Sequence, residues 1–133
     1  MPQSIDRLVY RSTAAGSTES LTLLAELLGE AQRNNARDGL TGALAAHDGQ
    51  FLQVLEGTPA ALDNLQRRLK QDRRHRDIVV LGRMRAEGRA FEGWSMASAR
   101  ITPALKPELD ALMAESAPSI ARVVGLMRQA VTD

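Results

Sequence analysis

The stretch Gln50–Gly57 places the strongest constraint on how this chain can fold. The Asp48-Gly49 pair before it favours a two-residue hairpin turn, so the stretch is predicted to be a β-strand that ends at Gly57. Side chains alternate between the faces of a strand, with Phe51, Gln53 and Leu55 on one face and Leu52 and Val54 on the other. Both faces are apolar except at Gln53, and a buried amide without partners costs about 2–7 kcal/mol. Either a backbone group or a buried water bonds to Gln53, or a polar ligand inside the fold does.

The composition narrows the classes of function. The chain has 133 residues, which suits one domain or one domain with an appendage. It has no cysteine, which excludes disulfides, thiolate metal sites and thiol adducts, and only two histidines, so no metal site is expected. The net charge of +1 gives no case for nucleic acid. No apolar run approaches the roughly 20 residues of a membrane span, so a soluble cytoplasmic protein is expected.

Apolar periodicity predicts the element order β-α-β-β-α-β, followed by a fifth strand and two C-terminal helices. The strands are predicted near residues 6–12, 40–46, 50–57, 78–81 and 89–98, and the helices near 21–35, 58–71, 108–116 and 119–131. Thr58-Pro59 suits a helix start, and the unbroken apolar run 78–81 is typical of a strand covered on both faces. The order predicts an α+β, ferredoxin-like fold with both early helices on one sheet face.

Three hydrogen-bonding side chains are predicted to converge between the two early helices. Tyr10 would come from the first strand, Asn35 from the end of the first helix and Gln53 from the third strand, with Asn34 beside them. Asn35 can alternatively be a C-terminal helix cap, although Gly39 better suits the chain reversal. Three polar groups in an otherwise apolar space indicate a ligand pocket.

The charged run Asp72–Asp77 lies between the second helix and the fourth strand. Such a run most simply forms a solvated loop. The alternative is that one of its arginines reaches inward to an acceptor in the pocket. His75 is interpreted as structural.

Five segments, taken in this order, resemble the BLUF family of blue-light sensors that use flavin. The matching segments are Leu8–Ser12, Asn34–Arg37 with Leu40–Gly42, Phe51–Gly57, Asp72–His75 and Arg89–Met96. Together they cover about residues 6–98, and five in order are far more specific than any one alone. The sequence departs from the family at Ala45-Ala46, where bulky apolar or aromatic residues are common.

The resemblance implies a flavin held non-covalently between the two early helices, with FAD expected and FMN or riboflavin as alternatives. The implied flavin-binding residues are Tyr10, Asn34, Asn35, Gln53 and Arg74. Tyr10 and Gln53 match the family's photoactive pair, in which light moves an electron and a proton from the tyrosine through the glutamine. The amide is left rotated or tautomerised, with a new hydrogen bond to the flavin. Trp94 and Met96 match the fifth-strand residues that relay the signal.

The resemblance also implies a photoreceptor and not an enzyme. Residues 1–100 would form the flavin-binding domain, and residues 101–133 a helical extension packed on the sheet or on a second chain. The implied partners are an unknown downstream protein and a second copy, bound through the sheet or the C-terminal helices. No nucleic acid, membrane or metal is expected.

Two other classes of function remain open from the residues alone. A small enzyme or ligand-binding module on the same fold would use Asn35, Gln53 and an arginine for a phosphorylated or acyl substrate. The chain has no Gly-rich phosphate loop and no clear acid–base pair for such a reaction. An RNA-binding sheet needs exposed strand aromatics, and the chain has only one Trp, one Tyr and two Phe.

Overall fold

A computed structural model describes residues 4–15, 21–72 and 75–132, and it shows one five-stranded sheet with helices on both faces. The strands are β1 Ile5–Ala14, β2 Thr41–His47, β3 Gln50–Gly57, β4 His75–Ala86 and β5 Ala97–Ser98. The helices are α1 Leu21–Asp38, α2 Pro59–Leu69, α3 Lys106–Ala114 and α4 Ile120–Thr132. The strand order is β4-β1-β3-β2-β5, antiparallel except between β2 and β5. This confirms the predicted α+β, ferredoxin-like fold.

The hairpin between β2 and β3 forms as the Asp48-Gly49 pair predicts. Asp48 has a φ of 49° and Gly49 a φ of 77°, so both central residues are left-handed, as in a type I′ turn. The turn sets the register, in which His47 pairs with Gln50 and Leu44 with Gln53. A slip of one residue would move every side chain of β3 to the opposite face.

Alternating side chains of β1 and β3 build two separate hydrophobic cores. Leu8, Tyr10, Phe51 and Leu55 belong to the core beneath α1 and α2, whereas Val9, Leu52 and Val54 belong to the core beneath α3 and α4. The predicted division of faces is therefore confirmed. Both early helices lie on the face that carries Tyr10 and Gln53.

Helix boundaries follow local chemistry in α1 and α2. Helix α1 continues to Asp38, three residues beyond the predicted end, and Gly39 reverses the chain with a φ of 71°. Thr58 caps α2, because its Oγ1 accepts a hydrogen bond from the Ala61 amide at 3.3 Å. None of the described helices combines the length and the apolar character that a membrane crossing requires. The division of the chain near residue 100 stays a prediction.

Strand β4 differs from its prediction. It lies at the edge of the sheet, and within the described ranges it pairs only with β1. Val79 and Val80 are consequently 42% and 47% exposed, so the prediction of a strand covered on both faces is wrong. The register of the pairing with β1 shifts twice, between Val9 and Tyr10 and between Arg11 and Thr13, so the ladder is irregular at both places.

The fifth strand is much shorter than predicted. Only Ala97–Ser98 pairs with β2, and the chain turns sharply before it, with a φ of 91° at Gly93. The strand predicted near residues 89–98 is therefore wrong over 89–96, where the chain forms turns and Phe91 is buried in the core beneath α3 and α4. Its backbone N–H donates to the Glu56 carboxylate at 3.0 Å, which holds the chain out of a regular ladder here.

Candidate functional site

A cavity of about 380 Å³ lies between α1 and α2, on their side of the sheet. Its apolar lining comes from both helices and from the sheet, through Leu27, Ala31, Leu44, Leu55, Leu65 and Leu69. The polar side chains of Tyr10, Asn34, Asn35 and Gln53 also line it. The volume falls in the range of about 300–1,000 Å³ that is usual for small-molecule pockets.

Tyr10 and Gln53 lie directly opposite each other on adjacent strands. They are register partners in the β1–β3 pair, and both are buried. Directly opposite residues have their Cβ atoms about 4.5–5.5 Å apart. Burial raises the pKa of the Tyr10 phenol far above its usual range, and the negative charge of Asp72 acts in the same direction. The phenol is therefore neutral at physiological pH and able to donate a hydrogen bond.

The side-chain amide of Gln53 lines the cavity and has no protein partner in the described ranges 4–15, 21–72 and 75–132. A hydrogen bond from a backbone group to this amide, one of the alternatives raised from the sequence, is therefore absent from the described residues. A buried primary amide has two donor hydrogens and an acceptor oxygen to satisfy. Gln53 thus presents both kinds of hydrogen-bonding group to whatever occupies the cavity.

Asn35 lies at the start of the last turn of α1 and is almost fully buried. Its Nδ2 donates a hydrogen bond to the Ser95 carbonyl oxygen at 2.7 Å, so the side chain does not cap the helix. The Oδ1 acceptor and the second amide hydrogen are not used by that bond. The neighbouring Asn34 is half-buried and lines the same cavity.

The structure separates the two residues predicted to relay a signal. Met96 is buried and lines the cavity, whereas Trp94 is 40% exposed and does not. Arg74 lies outside the described residues, as does the side chain of His75, so the role predicted for Arg74 stays a prediction. Of the seven predicted site residues, five therefore share one cavity: Tyr10, Asn34, Asn35, Gln53 and Met96.

Arg68 is a cavity residue that the sequence analysis did not identify. Its Nη2 donates to Asp38 Oδ2 at 3.0 Å, while its Nε is buried and lacks a partner in the described parts of the chain. Arg68 follows the inward-facing Leu65 by three residues, and that helical spacing was the available signal. Glu30, Gln71 and Asp72 add further polar groups to the lining.

Comparison with known proteins identifies the family. The family model described as "Sensors of blue-light using FAD" matches residues 5–97. Photoactivated adenylate cyclase subunit beta of Euglena longa is 35% identical over 97 residues, which are 72% of this chain and 11% of that protein. The corresponding subunit of Euglena gracilis is 34% identical over the same shares of both chains. The matched region is thus about a tenth of the length of these relatives.

Solved structures show the same relationship. The dark-state structure of BlrB, a BLUF protein, has a TM-score of 0.82 at 26% identity and covers 97% of this chain and 98% of its own. A bacterial light-regulated adenylyl cyclase has a TM-score of 0.72 at 29% identity, covering 96% of this chain and 40% of its own. With a family match that extends from β1 to the first residue of β5, the chain belongs to the BLUF family of blue-light sensors using FAD.

Proposed function

We propose that this protein is a blue-light photoreceptor that binds FAD non-covalently in the cavity between α1 and α2. The observation that carries the proposal is the direct opposition of Tyr10 and Gln53 in the wall of that cavity, in a chain of this family. We carry over no cyclase activity, because the shared region is about a tenth of the cyclase subunits.

The residues of the cavity suit a flavin ring. The isoalloxazine is flat, with apolar faces and an edge of carbonyl and ring nitrogen groups. Leucine side chains from α1, α2 and β3 offer the apolar contacts, and the amides of Asn34, Asn35 and Gln53 offer donors and acceptors for the polar edge. The buried Nε of Arg68, which has no partner in the described parts of the chain, and the Gln53 amide in the cavity wall are groups to which such a ligand would bond.

The light reaction is proposed to start at Tyr10. When bound, the flavin supplies blue-light absorption and an excited state that takes one electron from a nearby donor. Tyr10 gives up that electron together with its phenolic proton, because loss of the electron alone would leave a positive charge on a strongly acidic ring at a buried position where charge is disfavoured. Gln53 would accept this proton at its carbonyl oxygen and pass one from its amide nitrogen to the bound flavin. The electron and a proton later return to Tyr10, so nothing is consumed.

The hydrogen bonds of the Gln53 side chain are proposed to remain changed after this transfer. A side-chain amide has one donating end and one accepting end, so rotation or tautomerisation reverses the hydrogen bonds that it makes. Met96 lines the same cavity, and we propose it, rather than the exposed Trp94, as the side chain that responds first. The response then passes through β5 to a partner protein.

Absorption spectroscopy tests the proposal. The purified protein reconstituted with FAD should be yellow, should shift its absorption to the red under blue light, and should recover in the dark. The Tyr10→Phe variant should keep the flavin and lose the shift, because it removes only the hydroxyl group. Trp94→Phe, which changes an exposed side chain, should keep the shift. An unaltered light response in Tyr10→Phe would contradict the mechanism.

A further inference from the structure

We infer that Gln32 is a positioning residue that holds the Ser95–Met96 segment against α1 and so keeps Met96 in the cavity wall. The inference rests on the light response proposed above, and it adds a residue outside the cavity that controls that response. Gln32 lies on the exposed surface of α1 and is absent from the cavity lining. It is also outside the set of residues that the family resemblance implies.

The start of the segment 89–98 is held to β3 by several hydrogen bonds. Glu56 is fully buried and accepts hydrogen bonds from the Arg7 guanidinium, the Thr41 hydroxyl and the backbone N–H groups of Ala90 and Phe91. Arg89 adds bonds to the backbone oxygens of Glu56 and Gly39, at 3.0 and 2.9 Å. The chain is therefore fixed where it enters the segment.

The far end of the segment is attached to β2, where the Gly42 amide donates to the Trp94 carbonyl at 3.1 Å, and to α1 through two further bonds. Gln32 Nε2 donates to the Met96 carbonyl oxygen at 3.0 Å, and Asn35 Nδ2 donates to the Ser95 carbonyl oxygen at 2.7 Å. Residues three apart lie on one side of a helix, so the two amides act as adjacent clamps on consecutive carbonyls. The strand that follows pairs with β2 over only two residues. The backbone around Met96 is thus held by the bond from Gly42, the two bonds from α1 and this short strand pairing.

The two clamps differ in their surroundings. Asn35 is buried and shared with the cavity, so changing it would disturb the ligand site as well. Gln32 is exposed, so water can replace the Met96 carbonyl as the partner of its amide, and only that carbonyl, on a buried residue, must find a new donor when the bond breaks. The Gln32 clamp is therefore the one of the pair that can open. Its hydrogen bond is formed when Met96 lies in the cavity wall.

Breaking of the Gln32 bond can affect the opposite face of the sheet, because the chain after Met96 is hydrogen-bonded to α4. Just beyond β5, the Ala99 amide donates to the Leu44 carbonyl at 2.8 Å, and the Arg100 amide donates to the Ala130 carbonyl of α4 at 3.1 Å. A displacement of Met96 along the chain therefore reaches α4 within four residues. We infer that opening of the Gln32 clamp accompanies the light-induced response and loosens the contact with α4.

The test uses the full chain loaded with FAD and the variant Gln32→Glu. Glutamate keeps the shape of glutamine, but its carboxylate only accepts hydrogen bonds and so cannot donate to the Met96 carbonyl. We expect unchanged flavin content, a retained red shift, and recovery in the dark at least threefold slower than in the wild type. Amide hydrogen exchange of residues 94–100 in the dark should rise to the level that the wild type shows only under light.

Two further variants separate the lost bond from its side effects. Arg33→Gln changes the charge of α1 by the same −1 at the neighbouring exposed position and should behave as the wild type. Gln32→Lys restores a donor and should return the recovery rate towards the wild-type value. Acrylamide quenching of Trp94, the only tryptophan of the chain, should rise in Gln32→Glu alone.

The outcomes distinguish this inference from the proposed function. A wild-type protein without a light response overturns both. A wild-type response together with wild-type recovery and hydrogen exchange in Gln32→Glu overturns the clamp alone. Loss of flavin from Gln32→Glu also overturns it, because Gln32 would then belong to the binding site.

Discussion

Replacement of Glu56 by glutamine is the sharpest test of the packing beneath the site. Glu56 is fully buried, and the side chain of its partner Arg7 is 20% exposed. One carboxylate oxygen accepts two bonds from Arg7 and one from the Ala90 amide, and the other accepts from Thr41 Oγ1 and the Phe91 amide. If the NH₂ group replaces the first oxygen, three N–H donors lose their acceptor; if it replaces the second, the Phe91 N–H loses its acceptor and the Thr41 hydroxyl must turn to accept instead of donate.

The expected loss in free energy of unfolding is about 3–5 kcal/mol, because one partner of a buried ion pair is removed and the other is left unpaired. Urea denaturation followed by circular dichroism would measure it, at a fixed FAD concentration because bound ligand adds stability. Glu115→Gln is the matched control, since the Arg122–Glu115 pair is 47% and 45% exposed and should contribute less than about 1 kcal/mol. Equal, small losses in both variants would refute the argument.

Two further predictions concern a close backbone approach and an acid-sensitive contact. Gly42→Ala should lower the free energy of unfolding by about 1–3 kcal/mol, because its Cβ would overlap the Val54 carbonyl oxygen. Gly88→Ala, with open space around it, should melt as the wild type does. The His47 hydrogen bond, with help from Lys106, holds the pKa of Asp110 below its usual value. The stability that Asp110 contributes should be present above about pH 4 and should disappear as the pH falls through the lowered pKa.

Thermal melts of wild-type protein and Asp110→Asn between pH 2 and 7 would show this as a difference in Tm that closes at low pH. A difference that stays constant over the whole range would contradict the assignment. For the glycine pair, equal melting temperatures in both alanine variants would count against the close approach at Gly42.

Much of the fold could be predicted because its signals are local. The Asp48-Gly49 pair sets the hairpin and its register through the left-handed φ values that the turn requires. Thr58 sets the start of α2 by satisfying a backbone N–H that has no helical partner. The alternation along β3 then assigned Gln53 to the correct face.

The errors arose where contacts between residues far apart in the sequence decide the conformation or the exposure of a segment. The run 78–81 is apolar whether its strand is central or at an edge, so its pattern could not reveal that Val79 and Val80 are exposed. The chain near Phe91 follows the buried Glu56 carboxylate, a partner 35 residues away, and so abandons the strand pattern that its own sequence favours. Arg68 is a charged residue of the kind expected on the solvent-exposed face of a helix. The way α2 packs on the sheet brings it to the cavity instead.

The irregular edge of the sheet bears on how the protein behaves at high concentration. The register of β4 shifts twice in its pairing with β1, and Asp77 has a φ of 51°. An incoming strand from another molecule would need an even spacing of donors and acceptors, which these kinks interrupt around the exposed valines. Fibril-like growth should therefore be hindered along this edge, where Val79 and Val80 reach the solvent.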